Sequence, residues 1–307
     1  MSSINTVTRR SLRPVLVWIL LCIIWGSTWA FIKLGLNDLP PVTFANVRFI
    51  IAVILLLAIA RVRRARWPKT RGEWRLLVTT GFLQFTVNYG LIFWGEKYIS
   101  SGLAALLQAT IPLFGLLIAH KYLPQEPLTF IRLCGIVIGL AGVAVVFSNQ
   151  LALGDKWSVW GSIAIVVGSF AAAYSNVLLK MSDVKLDLSV LVAGQMLCGL
   201  VPLLAFGLIK EGSPLGLRWT MTAIVSVLYL ALVGSVAAFM LYYWLVRNMS
   251  VTNTQLISLV TPVVAVLIGV IFLDEELTWR IALGGLGIFA GICVIISRRR
   301  RTPRPPV

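Results

Sequence analysis

Apolar residues in this chain gather into ten runs of about 20, separated by short polar or charged connections. A helix needs about 20 residues to cross roughly 30 Å of hydrocarbon. The runs at 15–36, 41–60, 76–95, 100–120, 128–148, 157–179, 188–209, 221–245, 251–273 and 279–297 therefore predict ten transmembrane helices. The pattern repeats. Residues 108–126, QATIPLFGLLIAHKYLPQE, share their layout with 258–276, SLVTPVVAVLIGVIFLDEE: an apolar helix interrupted by Pro112 or Pro262 and closed by Glu126 or Glu276. At the same offset and without a gap, Leu91, Trp94, Leu106, Leu117, Ile118, Ile131 and Gly135 meet identical residues at Leu241, Trp244, Leu256, Leu267, Ile268, Ile281 and Gly285. A register held that long predicts two homologous five-helix halves, 1–150 and 151–307.

Within the runs, neutral polar residues recur at helical spacing. Thr80, Gln84 and Asn88 fall on one face of the third span, with Ser27 and Thr28 in the first, Asn46 opening the second and Gln108 one turn before Pro112. In the second half Ser169 and Asn176 share a face, as do Ser235 and Tyr242, and Thr254, Gln255, Ser258 and Thr261 precede Pro262. Amides facing lipid are costly, so these groups are expected to point inward. Two readings stay open: hydrogen bonds between helices, averaging about 0.6 kcal/mol each, or the wall of a ligand cavity. The amides of Gln84, Asn88, Gln108 and Gln255 each need several partners, which suits a cavity. Trp25 and Tyr174 lie deep enough to line it, and Tyr242 joins them as a candidate. Each proline frees a backbone carbonyl one turn earlier, so Pro112 and Pro262 are expected hinges. Glycines at 135, 139 and 142 and at 284, 287 and 291 suit close helix packing, or a homodimer contact.

Composition fits this picture: 59% hydrophobic and 12% charged residues, with a mean hydropathy of +0.92, exceed what a soluble core could enclose. The net charge of +16 is not a nucleic-acid footprint, because the basic residues sit between apolar runs. Counted by loop, twenty of the 27 Lys and Arg fall on the side of the N-terminus, leaving Lys33, Arg48, Lys97, Lys156, Lys210, Arg218 and Arg280 on the other. Both termini are then expected in the cytoplasm. Five spans per half, an odd number, makes the repeats inverted. The N-terminal TRRSLR precedes a run too long for a signal peptide, so the first span is expected to remain. Cys22, Cys134, Cys198 and Cys293 lack paired spacing, and neither a metal site nor a cofactor is expected.

All eleven acids lie at span ends or in loops, and no HExxH, paired intramembrane acids, Ser with a base or phosphate loop is present. An enzyme is not expected; a lipid-modifying one would have only His120, Glu126 and the Asp274–Glu276 cluster to work with.

The WGSTWAFIK of the first span, the NVRF of the second and the TPVVAVLIGVIFLDEELTW near the end resemble the EamA-type branch of the drug/metabolite transporter superfamily, with the group that exports aromatic and other amino acids most similar. The resemblance implies ten helices in two inverted repeats around a central cavity, and export of amino acids or related metabolites across a bacterial inner membrane by a monomer or homodimer. It leaves as alternatives a nucleotide-sugar or nucleobase carrier and a non-transporting membrane subunit. Read together, these lines predict alternating access around neutral amides and hydroxyls, with small solutes and the lipid bilayer as partners. With no acid expected deep in the membrane, facilitated movement down a gradient is a serious option.

Overall fold

The computed structural model describes residues 12–122, 128–153, 155–182, 184, 186–217, 219–248 and 257–297. Helices account for every predicted span. They are α1 (Arg13–Gly35), α2 (Pro41–Val62), α3 (Arg71–Gly81), a first π segment (Phe82–Asn88), α4 (Tyr89–Glu96), α5 (Ser101–Gln108), α6 (Ile111–Tyr122), α7 (Phe130–Leu153), α8 (Lys156–Met181), α9 (Leu188–Lys210), α10 (Met221–Leu228), a second π segment (Tyr229–Ala237), α11 (Ala238–Asn248), α12 (Ile257–Phe272) and α13 (Trp279–Ser297). Among the described residues, eight spans are long and apolar enough to cross a membrane, and α12 and α13 add the shorter apolar stretches Val260–Phe272 and Trp279–Val294. The chain is a multi-pass membrane protein with the ten-helix, two-repeat architecture the apolar pattern predicts.

Local chemistry sets where these helices start. Proline occupies the first turns of α1 and α2, where its missing N–H has no helical partner to lose. Thr70 and Glu73 form a reciprocal capping box that starts α3 five residues before the apolar run at 76. Asp155 caps α8 through the amides of Trp157 and Ser158, and the Ser158 hydroxyl, helped by the Trp157 amide, holds its carboxyl below the usual range.

The two halves pack through each other rather than side by side. α1 lies on α12 and α5–α6 on α8; the third span meets α8 and α9, while the eighth meets α1 and α2; α2 pairs with α9 and α7 with α13. Exchanging each span for its repeat partner maps this list onto itself, the mark of a two-fold relation between halves. The α7–α13 pair uses the glycines singled out in the sequence. A Cβ on Gly142 would stand 2.5 Å from the carbonyl oxygen of Gly284, and one on Gly284 would stand 2.6 Å from that of Gly142. The glycine faces are thus packed against each other within one chain.

Candidate functional site

Two π segments frame the candidate site. They fall in the third and eighth spans, equivalent in the two repeats. A π turn holds an extra residue, which moves side chains off the α-helical register and is a feature of functional sites. Around the first segment, Gln108 Nε2 donates to Asn88 Oδ1 at 3.0 Å, and Ser169 Oγ donates to Gln108 Oε1 at 2.9 Å. This chain joins the first repeat to the second. It sits at a break in the fourth span, where α5 ends at Gln108 and α6 starts again at Ile111. Pro112 is the second residue of α6, where its missing N–H costs no bond within that helix. α12, in contrast, runs unbroken through Pro262, so the two prolines are handled differently in the two halves.

Around the second segment, Tyr229 shares a 2.6 Å hydrogen bond with Ser27 Oγ and stacks on Phe31 with ring centroids 3.9 Å apart. Ser235 Oγ accepts from Arg48 Nε at 3.2 Å. Trp25 packs against Phe239 and Tyr242. Asn46 is buried and donates to the Leu203 carbonyl at 3.2 Å, while its Oδ1 has no partner. The half-buried Gln84 lies on the first π segment between buried Thr80 and Asn88. Thr80 is joined instead by Gln195 of α9, at 2.8 Å.

Other candidates fall elsewhere. Tyr174 faces Tyr122 at the far end of α8, with ring centroids 6.1 Å apart. Asn176 is exposed while Ser169 is buried: seven residues leave the two within about 20° of one face on a straight helix, but only Ser169 is covered, by Leu107 and Gln108 of the fourth span. Ser258 lies in the first turn of α12; Gln255, Thr254 and Glu126 lie outside the described residues.

Sequence reasoning missed the charged end of the bundle. Arg48 is not a loop charge: it lies on α2 and is 2% exposed. Glu96, at the end of α4, is fully buried with both carboxylate oxygens unpartnered. Lys33 Nζ donates to the carbonyls of Glu96 and Ile99, at 2.9 and 2.7 Å, and so caps the end of α4. Two further carboxylates clamp helix starts across the repeats. Glu275 accepts from the Ser101 and Gly102 amides of α5 at 2.6 and 3.0 Å. Glu211 accepts from Val42 and Thr43 of α2 at 3.0 and 2.7 Å. Thr220, which caps α10, adds a 2.5 Å hydrogen bond to Asp38. Each clamp sets a full charge against a helix end of opposite polarity.

Glu276, the acid that closes the second matched stretch, is exposed, and the clamp is its neighbour Glu275. Of the groups an enzyme reading needed, Glu275 is engaged on α5 and His120 Nδ1 accepts from the Leu128 amide at 3.0 Å. The signal for Arg48 was present in the sequence, as a lone cation seven residues inside an apolar run.

Known proteins agree with this architecture. The model of the EamA-like transporter family matches residues 12–148 and 159–297, one match per repeat. The chain is 33% identical over 298 residues to the uncharacterized inner membrane transporter YedA of Escherichia coli K12, covering 94% of this chain and 92% of that one. It is 27% identical to the uncharacterized transporter YoaV of Bacillus subtilis, covering 91% and 96%. A solved crystal structure shares the fold at a TM-score of 0.64 and 19% identity, over 94% of this chain and 99% of the other. With a match to each half and the same ten helices, the chain belongs to the EamA-like transporter family.

Proposed function

We propose that the protein exports amino acids and related small metabolites across a bacterial inner membrane, the two repeats rocking about the π segments by alternating access. The observation that carries this reading is the Asn88–Gln108–Ser169 chain. It places neutral amides at a broken helix on the boundary between repeats, where half-helix ends and free carbonyls serve small polar solutes. Aromatic rings at Trp25, Phe31 and Tyr229 border the neighbouring hydroxyls and suit aromatic or aliphatic side chains. YedA carries inner membrane in its name, which supports the location.

Liposomes holding the pure protein and a panel of labelled amino acids test it. Gln108→Ala leaves Asn88 and Ser169 without their shared partner and is expected to lower transport at least tenfold while the protein still reaches the membrane. Unchanged transport in that variant, or no movement of any amino acid by the natural protein, would overturn the reading.

A second mode rests on Glu96. Its burial without a partner supplies the acid that the sequence reading lacked and makes exchange for protons an alternative to facilitated movement. Transport that needs an imposed pH gradient, and loses that need in Glu96→Gln, selects exchange. Transport indifferent to the gradient selects facilitated movement.

A further inference from the structure

Arg48 has no structural debt that explains it. It lies seven residues into α2, about 10 Å along the helix at 1.5 Å per residue, well below the polar end of the bundle. Its Nε donates to Ser235, and its guanidinium carbon lies 5.2, 5.3 and 5.9 Å from the ring centres of Phe49, Tyr89 and Phe93. No carboxylate of a described residue is within ion-pair distance, and Nη1 has no hydrogen-bond partner although the residue is 2% exposed.

The nearby charges are already engaged or displaced. Lys33 is held by two carbonyls and Glu275 by two amides; Glu96 is within electrostatic reach of Arg48 but does not bond it. An ionised side chain inside a membrane protein that lacks a paired neighbour is costly and marks a functional site. The location agrees. Arg48 comes from the first repeat and Ser235 from the second, on its π segment. Gly234, beside Ser235, is where the backbone comes close: a Cβ there would stand 2.8 Å from Thr28 and 3.8 Å from Arg48 Nη2. At the repeat offset Arg48 is matched by Cys198, so this feature occurs once, as a group that orients an asymmetric solute would.

We propose that Arg48 is the anchor for the carboxylate of the transported solute, its planar N–H fork receiving the two oxygens. A guanidinium matches a carboxylate in two parallel charge-assisted hydrogen bonds, which an ammonium does not reproduce. Ser235 holds Nε and the three rings hold the plane, leaving Nη1 and its neighbour to the ligand. This assignment rests on the transport reading above and narrows it to solutes bearing a carboxylate.

The test uses the full-length protein and a panel of α-amino acids and short carboxylic acids, each beside its amide. In the natural protein, carboxylates should raise the unfolding temperature and compete for transport at least tenfold better than their amides. Arg48→Gln should bring that ratio to about one, and Arg48→Lys should keep only part of it. A natural protein that treats acids and amides alike, or an Arg48→Gln variant that keeps the ratio, overturns the proposal. The acid-to-amide comparison in the natural protein needs no variant, so it stands if Arg48→Gln fails to fold; Ser235→Ala then reports whether loosening the guanidinium lowers the ratio. If liposomes pass neither acids nor amides while acids alone still stabilise the natural protein, the transport reading falls and the carboxylate site stands. If no carboxylate stabilises the protein, the site falls.

Discussion

Glu275→Ala is expected to open the bundle at the end where α4 turns into α5. The Glu275 carboxylate links this end of the second repeat to the first two amides of α5, with one oxygen on each. Those amides have no partner inside the helix, so the carboxylate satisfies both and also meets the positive end of the helix dipole. The side chain is seated with little slack: a Cβ on Gly269 would stand 2.9 Å from its Cδ, and the Glu275 backbone amide bonds the Gly269 carbonyl at 3.1 Å. Two charge-assisted hydrogen bonds at a half-buried position, discounted for partial solvation, are worth about 2 kcal/mol together. That corresponds to a roughly thirtyfold shift between closed and open populations. Leu103, 2% exposed one turn into α5, reports it: a cysteine there, with the four native cysteines replaced, should react with a membrane-impermeant thiol reagent much faster in Glu275→Ala. Glu275→Gln, which keeps one acceptor oxygen, should fall between. Equal labelling rates in all three would show that the clamp does not hold this end shut.

The clamps also show what the sequence carried and what it did not. The ten helices were legible because lipid imposes one requirement on every span, about 20 apolar residues, and the repeat was legible because seven identities keep one offset. Asn88, Gln108 and Ser169 were legible as polar interruptions of apolar runs, and they meet. Their bonding order was not, because it depends on the break at Ala109 and Thr110 and on the π turn before Asn88, and π turns have no compositional signature. Which acid forms the clamp was not legible, for a geometric reason. Asp274 adopts a left-handed backbone, φ 52°, which turns the chain so that the next acid, Glu275, points back at α5 while Glu276 faces out. Three consecutive acids in the sequence do not say which one turns inward. Arg48 was misplaced because a charge count by loop gives every cation to the nearest surface, although this one sits inside the second apolar run.

Gly142→Leu should cause the largest loss of stability of any single substitution considered, and the reason lies in the α7–α13 seam. Helices in a bilayer gain little from excluding water from one another, so close van der Waals packing has to hold them together. Here that packing is backbone on backbone. The Cβ of any residue at 142 would meet the Gly284 carbonyl oxygen at 2.5 Å, the Ile288 amide nitrogen at 2.7 Å and the Gly287 carbonyl carbon at 3.0 Å. None of these is a side chain that can rotate away, so the two helices must separate, and the reciprocal contacts at Gly284 and Gly291 are lost with them. Overpacking in a closed site costs about 1–3 kcal/mol, and the lost seam places this case at the upper end. Gly115 of α6 is the control, because a Cβ added there meets nothing within 4 Å. Gly115→Ala should be neutral or slightly stabilising, by up to about 1 kcal/mol from helix propensity. Thermal unfolding of both variants in the same detergent separates the cases. A Gly142→Leu protein that unfolds at the natural temperature would mean that the seam tolerates a side chain and that α7 and α13 are not held by their glycines.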